Sequence, residues 1–210
     1  MMVRAPMSPE RYRLSFTTGG LFLREAPLVA GRCLALRDWS QTRERVRAEN
    51  LLQVRTTAAA TRISKELVAR LEWLDIDELE SLVEGTQRER GCMLWSAVCR
   101  RYAFIRDFAV EVLREYYLSQ RRQLTLSDYD AFCNAKALWH AELDELAPST
   151  QSKLRQNLFR MLREADLLSD QGQIQPTLLT PRVAQMLARH GRDSLLVFPA
   201  TDSEMQRWLR

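Results

Sequence analysis

The chain reads as mostly α-helical, and three observations carry that reading. Apolar residues recur at three- and four-residue spacing along most of its 210 residues. Ser, Thr or Asp stands at the start of most of those runs, where the free N–H groups of a helix need acceptors. Gly, Pro and short extended pairs fall between the runs. The expected architecture is two halves of helix-turn-helix or winged-helix type around long central helices, with a short β-hairpin near 167–175. Residues 1–84 would form the first half. Residues 85–210 would hold the long-helix scaffold and the second half.

Residues 1–11 carry Pro6, Pro9 and scattered charge and read as a loose arm, with Arg4, Arg11 and Arg13 available to phosphates. Gly19-Gly20 marks a turn before a helix over about Leu21 to Leu36. Pro27 either kinks that helix or lies in its true first turn. Ser40 caps a second helix from Trp39 to about Gln53. Thr56 or Thr57 caps a third, to about Leu74, that places Ile63, Leu67, Leu71 and Leu74 inside. Thr57, Thr61, Arg62 and Lys65 then lie early and outward. Arg43, Arg47 and Asn50 make a stripe on the helix before. In a helix-turn-helix the N-terminal end of the recognition helix reaches the bases, so this trio is one candidate DNA module. A plain three-helix bundle with a solvated basic face explains the same residues.

The acidic stretch LDIDELESLVEG follows, with Asp77 as cap and Gly85 as stop. It reads as a short connecting helix, or less simply as a protein-docking face. A helix over about Thr86 to Arg100 buries Cys92, Trp95 and Cys99. Another over about Phe104 to Gln120 buries Ile105, Phe108, Val112, Leu113 and Tyr116. Their wide apolar stripes suit a central scaffold. Arg100-Arg101 and Arg121-Arg122 end helices, where cations meet the negative dipole end; phosphate contact is the sharper alternative.

Leu124 to Leu126 is short and extended. Ser127 caps a helix to about Leu146 with Phe132, Ala135, Leu138, Trp139 and Leu143 on its inner face. After Pro148, Ser149 or Thr150 caps an amphipathic helix whose inner face is Leu154, Leu158, Met161, Leu162 and Ala165. Its other face holds Lys153, Gln156, Asn157, Arg160 and Arg163. That helix stops near Asp166, Leu167-Leu168 extends, Ser169 to Gly172 turns, and Ile174 returns. A basic, amide-bearing helix running into a hairpin is the plan of a winged helix. The residue types suit a major groove, since Arg and Lys bond guanine and Asn and Gln bond adenine. An ordinary solvated surface helix is the plainer account. Thr180-Pro181 opens a further helix closed by Gly191. Leu195 to Phe198 reads as a short apolar strand, and Asp202 caps a final turn.

Charge is unevenly spread. Residues 1–70 carry net +7, residues 71–84 net −6 and residues 85–210 net +3, within a total of +4. The asymmetry permits a basic face and a separate acidic one. The cations are mostly Arg, which binds phosphate and guanine bidentately. Cys33, Cys92, Cys99 and Cys133 lack C-x-x-C spacing and read as buried reduced thiols. No signal peptide and no run near the ~18 apolar residues of a membrane helix is found, so a cytoplasmic protein is expected. Walker, dinucleotide and nucleophile-elbow motifs are absent. His140 and Asp144 share a helix face at i, i+4, a spacing more usual for a surface pair than for a catalytic or metal dyad. No enzyme, metal, cofactor or small-molecule substrate is expected.

The stretches FTTGGLFLREA, ENLLQVRTTAAATRI, LWSAVCRRYAFIRDFAVEVLREYYL, LSDYDAFCNAKALWHAELDEL and STQSKLRQNLFRMLREADLLS carry a resemblance when taken together. Over nearly its whole length the chain resembles BrxA, the small helical component of BREX phage-defence systems. The resemblance implies an all-helical DNA-binding protein, similar to winged-helix folds and more loosely to a helical RNA-binding antitermination factor. It implies no catalysis, and a place beside the methyltransferase, ATPase and phosphatase-like components of the system. It supplies no motif whose residues transfer one by one. The residues expected to bind double-stranded DNA therefore come from the helix faces: Arg43, Arg47, Thr57, Thr61, Arg62, Lys65, Lys153, Gln156, Asn157, Arg160 and Arg163. A structural adaptor docking other BREX components and an RNA-binding factor are the alternatives.

Overall fold

Helix ends here are set by which side chain reaches the first free N–H groups. The computed structural model describes residues 11–209; Arg4, Pro6 and Pro9 of the expected arm lie outside them. The protein is mostly helical. Helix α1 spans Glu25–Leu36, so Pro27 falls in the first turn, where its missing N–H costs nothing. Helix α2 spans Trp39–Ala48. Asp38, not Ser40, caps it, accepting from the Gln41 N–H at 2.7 Å. It stops well short of Gln53 because Asn50 and Gln53 both turn left-handed, at φ 45° and 49°. Thr56 caps α3, Thr57–Leu71. Asp75 and Glu78 close a reciprocal capping box at the start of α4, Ile76–Glu84, which leaves Asp77 in the first turn rather than at the cap. Small residues Ala26, Ala30 and Cys33 let α1 lie close against Leu79 and Leu82 of α4.

Helix α5, Gln87–Arg101, is capped by Thr86 and buried from Gly91 through Cys99. Trp95 is wholly enclosed and donates its indole N–H to the Val197 carbonyl at 2.9 Å. Helix α6 starts as Ala103–Phe108, passes through a π-helical stretch Ala109–Arg114 and ends as Glu115–Leu118. The wider π turn shifts the later side chains by about one position. Tyr117 is therefore buried, while Tyr116, expected inside, is half-exposed and bonds Asp128 at 2.9 Å.

Helix α7, Leu126–Ala137, is capped by Thr125 with Asp128 rather than by Ser127. It ends nine residues before Leu146, and a 3-10 turn, Ala141–Leu143, follows. The expected inner face fails at that end. Ala135 is exposed, and Leu138 and Trp139 are 79% and 75% exposed. His140 does not pair with Asp144. It stacks on Tyr12 at 3.8 Å, with Nδ1 3.2 Å from Glu142. Pro148 begins α8, Pro148–Glu164, so Ser149 and Thr150 lie inside its first turn and Ala147 is the cap residue. Beyond it Leu168 pairs with Ile174 and Gln123 with Gln173, antiparallel. Gly172 makes this corner at φ 79°, where a Cβ would meet the Leu124 carbonyl at 2.8 Å. Thr180 caps α9, Pro181–Ala188. Leu195 to Phe198 is no strand: a 3-10 turn, Arg192–Leu195, runs into further turns. Thr201, not Asp202, caps α10, Asp202–Trp208, because Thr201 and Glu204 satisfy each other's N–H groups.

One apolar core runs from Tyr12 to Met205. Residues 12–21 lie across α8 as a strap. Asn157 donates to the Phe16 carbonyl at 2.9 Å, and the Leu21 N–H reaches Glu164. A Cβ at Gly20 would meet the Glu164 carboxylate at 2.1 Å, so any larger residue there would push that side chain off the Leu21 N–H. At the strap's start the Tyr12 N–H donates to Glu142. Burial by itself would raise the Glu142 carboxyl, yet the N–H groups of Tyr12 and Glu142 and the His140 ring hold it below the ordinary 4.5. A depressed carboxyl stabilises the fold above its unfolded pKa and loses that contribution as pH falls through the folded value. Wild-type stability is therefore expected to fall as pH drops below 4.5 through this group. Glu142→Gln should flatten that part of the profile, read by urea denaturation at stepped pH; an unchanged profile would remove Glu142 from the account.

Candidate nucleic-acid interface

The α2–α3 corner is built by the two left-handed residues that end α2. They fold the connection back so that the C-terminal end of α2 faces the N-terminal end of α3. Asn50 secures the turn by accepting the Val54 N–H at 3.2 Å. An open groove of about 590 Å³ results, lined by Arg47, Asn50, Arg55, Thr57 and Thr61, with Glu44 the acid among its walls. The N-terminal turn of α3, from Thr57 to Thr61, lines it, and a helix N-terminus favours anions. Arg47, Thr57, Thr61, Arg62 and Lys65 are all exposed as expected. Among the described residues Arg47, Arg55, Arg62 and Lys65 form no ion pair, while Arg43 lies 3.5 Å from Glu72. Arg55 was missed by helix-face reasoning because it sits in the turn. Its place between an expected helix stop and a Thr cap was the available signal.

The α8 face is different. Lys153 and Gln156 are exposed, but Asn157 is buried and given to the strap carbonyl, which corrects its expected outward placement. The periodicity of α8 alone does not reveal this, because the strap that covers Asn157 lies 141 residues away in sequence. Arg160 is held by Glu164 at 2.7 Å and Arg163 lies 3.9 Å from Asp170. Arg155 is bound to Asp130 at 2.6 Å. The turn leading into α8 carries Glu142, Asp144 and Glu145 and no Lys or Arg between 137 and 152.

The paired arginines resolve individually. Arg100 binds Glu78 bidentately at 2.7 and 2.8 Å, and Arg101 donates to the Ala69 carbonyl at 3.0 Å. Arg121 bonds Asp128, and Arg122 lies over the Tyr117 ring. These are internal braces. Asp75, Glu78 and His190 bring ligand atoms within 4.8 Å of one another, the metal-type grouping among the described residues. Glu78 already receives Arg100 and the Asp75 N–H, so the grouping braces α4 against the end of α9 and offers a cation little. Burial pushes the Cys92 thiol up to about 12 and that of Cys133 up to about 11, and all four cysteines are free. No helix among the described residues is long and apolar enough to cross a membrane.

Fold and surface together define a small all-helical protein that presents charged helix faces over one continuous core. A model of the BrxA family matches residues 10–191, and the chain belongs to that family. Among curated proteins it is 26% identical over 180 residues to the BREX protein BrxA of Escherichia coli O9:H4, covering 85% of this chain and 84% of that one. It is 24% identical over 164 residues to the BREX protein BrxA of Paramagnetospirillum magneticum, covering 78% and 82%. A crystal structure of an uncharacterized protein from Magnetospirillum magneticum shares the fold, with a TM-score of 0.75 at 21% identity over 90% of this chain and 98% of that one.

Proposed function

We propose that this chain is a double-stranded DNA-binding component of a BREX phage-defence system, acting in the cytoplasm without catalysis. Membership of the BrxA family supports the BREX assignment. The observation that carries the DNA reading is the contrast between the two basic faces. At the α2–α3 corner Arg47, Arg55, Arg62 and Lys65 are unpaired among the described residues, and Arg47 and Arg55 line an open groove at a helix N-terminus. Those of α8 are largely held by carboxylates. The reading places the principal contact on residues 1–84, through Arg47, Arg55, Thr57, Thr61, Arg62 and Lys65. Lys153, Gln156 and the hairpin of the winged-helix-like half, residues 85–210, are secondary. Arg bonds to phosphate supply most of the affinity, so binding tolerates sequence and weakens with salt.

Two results are expected. By fluorescence anisotropy with a short duplex, log affinity should fall against log salt with a slope of roughly −0.9 per phosphate neutralised; a flat response sinks the phosphate-contact reading. The Arg62→Ala, Lys65→Ala double variant should bind several-fold more weakly and lower that slope by about 2. Its melting temperature should hardly move, because exposed charges add little stability. Undiminished binding by the folded double variant takes α3 off the DNA surface. An RNA duplex competing equally at one salt concentration would favour the RNA alternative instead.

The adaptor reading is favoured by a separate observation. Trp73 and Ile76 are 47% and 50% exposed within the acidic segment 71–84, which offers a partner an apolar, acidic face.

A further inference from the structure

One carboxylate stands in the groove of the α2–α3 corner, and nothing claims it. Glu44 is exposed and lines the groove with Arg47, Asn50 and Arg55. The acids that end α2 and α3 are taken: Glu49 meets Arg32 and lies 3.9 Å from Arg45, and Glu72 lies 3.5 Å from Arg43. Glu44 forms no ion pair or hydrogen bond among the described residues. Arg47 follows it by one helical turn, a spacing at which exposed Glu and Arg side chains are neighbours, yet the two do not pair. In a groove that held phosphates alone, such a carboxylate would only repel the ligand. It contributes to binding where the ligand brings a hydrogen-bond donor to its oxygens.

The donors and acceptors of the groove discriminate among base pairs. The Asn50 side-chain oxygen already accepts the Val54 N–H at 3.2 Å, so Asn50 cannot make the donor-and-acceptor pair of bonds that reads adenine. The guanidiniums of Arg47 and Arg55 donate only. In the major groove guanine offers two adjacent acceptors, O6 and N7, which one guanidinium bonds bidentately. The cytosine paired with it offers one donor, the N4 amine, which a carboxylate accepts. An A·T pair places its acceptors on either side of the adenine amine, so a guanidinium finds no adjacent two. An acceptor-only and a donor-only side chain, one turn apart on one helix and not spent on each other, match the C·G order.

We propose that Glu44 and Arg47 read a C·G base pair in the major groove of a duplex held at this corner. Glu44 accepts from the cytosine N4 amine, Arg47 donates to guanine O6 and N7, and Arg55, Arg62 and Lys65 hold phosphates. This inference rests on the DNA reading and adds a base preference to its sequence-tolerant phosphate affinity. The test compares two short duplexes of equal length, one all G·C and one all A·T, by fluorescence anisotropy with the intact chain at one salt concentration. Wild type should bind the G·C duplex roughly fivefold more tightly or better. Exchanging guanine for its 7-deaza analogue, which lacks the N7 acceptor, should remove most of that preference; exchanging it for hypoxanthine, which lacks only the minor-groove amine, should not. Glu44→Ala should weaken G·C binding several-fold and leave A·T binding level or tighter, because a carboxylate has left the neighbourhood of phosphates. Glu44 is exposed, so the melting temperature should stay level; if Glu44→Ala disturbs the fold, the 7-deaza duplex with wild type decides. Equal tightening of both duplexes by Glu44→Ala makes Glu44 a mere phosphate repeller and overturns the proposal. So does wild type that binds both duplexes equally, which leaves the DNA reading standing. Binding of neither duplex fails the DNA reading itself, and this inference with it.

Discussion

Replacing Arg70 by methionine should cost about 3–5 kcal/mol of folding stability, the largest loss expected from a single charge deletion in this chain. Arg70 is 1% exposed. Its Nε donates to Glu66 at 2.7 Å, one Nη to the Gly20 carbonyl at 2.5 Å, and the other to the Thr18 carbonyl at 3.2 Å. One guanidinium therefore ties α3 to the strap, and the strap ties both to α8. Methionine fills similar volume but leaves the Glu66 carboxylate, 8% exposed, with the Tyr102 hydroxyl as its remaining donor. It also strips the buried Gly20 carbonyl and the part-buried Thr18 carbonyl of their partner. The loss comes from the stranded groups rather than from the Coulomb energy of the pair, because burying both charges already cost desolvation. Urea titration followed by circular dichroism measures it. A loss below about 1 kcal/mol would mean that water replaces the guanidinium and that the strap is not held through Arg70.

Leu158→Ala should cost about 2–5 kcal/mol, while Arg160→Ala, two residues on, should cost less than about 1 kcal/mol. Leu158 is wholly buried among the inner residues of α8, so truncation leaves a cavity in the core shared with Leu154 and Leu162. Arg160 is 62% exposed and its pair with Glu164 is an i, i+4 surface bridge. The DNA readout separates them further. Arg160→Ala should change affinity little, because that cation is engaged by Glu164 and is not among the residues lining the α2–α3 corner's groove. If Arg160→Ala instead loses about 1–3 kcal/mol at a preferred base, α8 is a groove reader and the N-terminal corner is not the principal contact.

Most of the helices were legible because each one answers to its own sequence. A 3.6-residue apolar period, a Thr or Asp cap and a Gly or Pro stop are all local. So α3, α5, α8 and α9 lie close to where periodicity puts them. Caps slipped by a residue or two wherever two candidates stood together. Asp38 beside Ser40, Asp75 beside Asp77 and Thr201 beside Asp202 differ only in which side chain reaches the free N–H, and backbone geometry chooses. The end of α7 was misread for a different reason. Leu138, Trp139 and Leu143 continue the period, yet the helix ends at Ala137, and beyond it His140 stacks on Tyr12 from the distant strap.

The candidate surface divides in the same way. That Thr57, Thr61, Arg62 and Lys65 point outward follows from their spacing against Leu67 and Leu71. That Arg47 and Arg55 share a groove with Thr57 and Thr61 depends on two left-handed residues whose neighbours give no periodic signal. Asn157 is the sharpest case. On the helix wheel it belongs with Lys153 and Arg160, but a carbonyl from residue 16 claims it.

By itself, then, the sequence determined the helical class, the order of most elements, the apolar face of most helices and the family. Tertiary structure alone decided which polar side chains remain available to a partner. The reason is physical: a helix's apolar face is set by a rotation of 100° per residue within one segment. Whether a given Arg, Asn or Trp on the opposite face meets solvent, a carboxylate or a strap depends on what another part of the chain brings to it, and spacing along the segment carries no record of that.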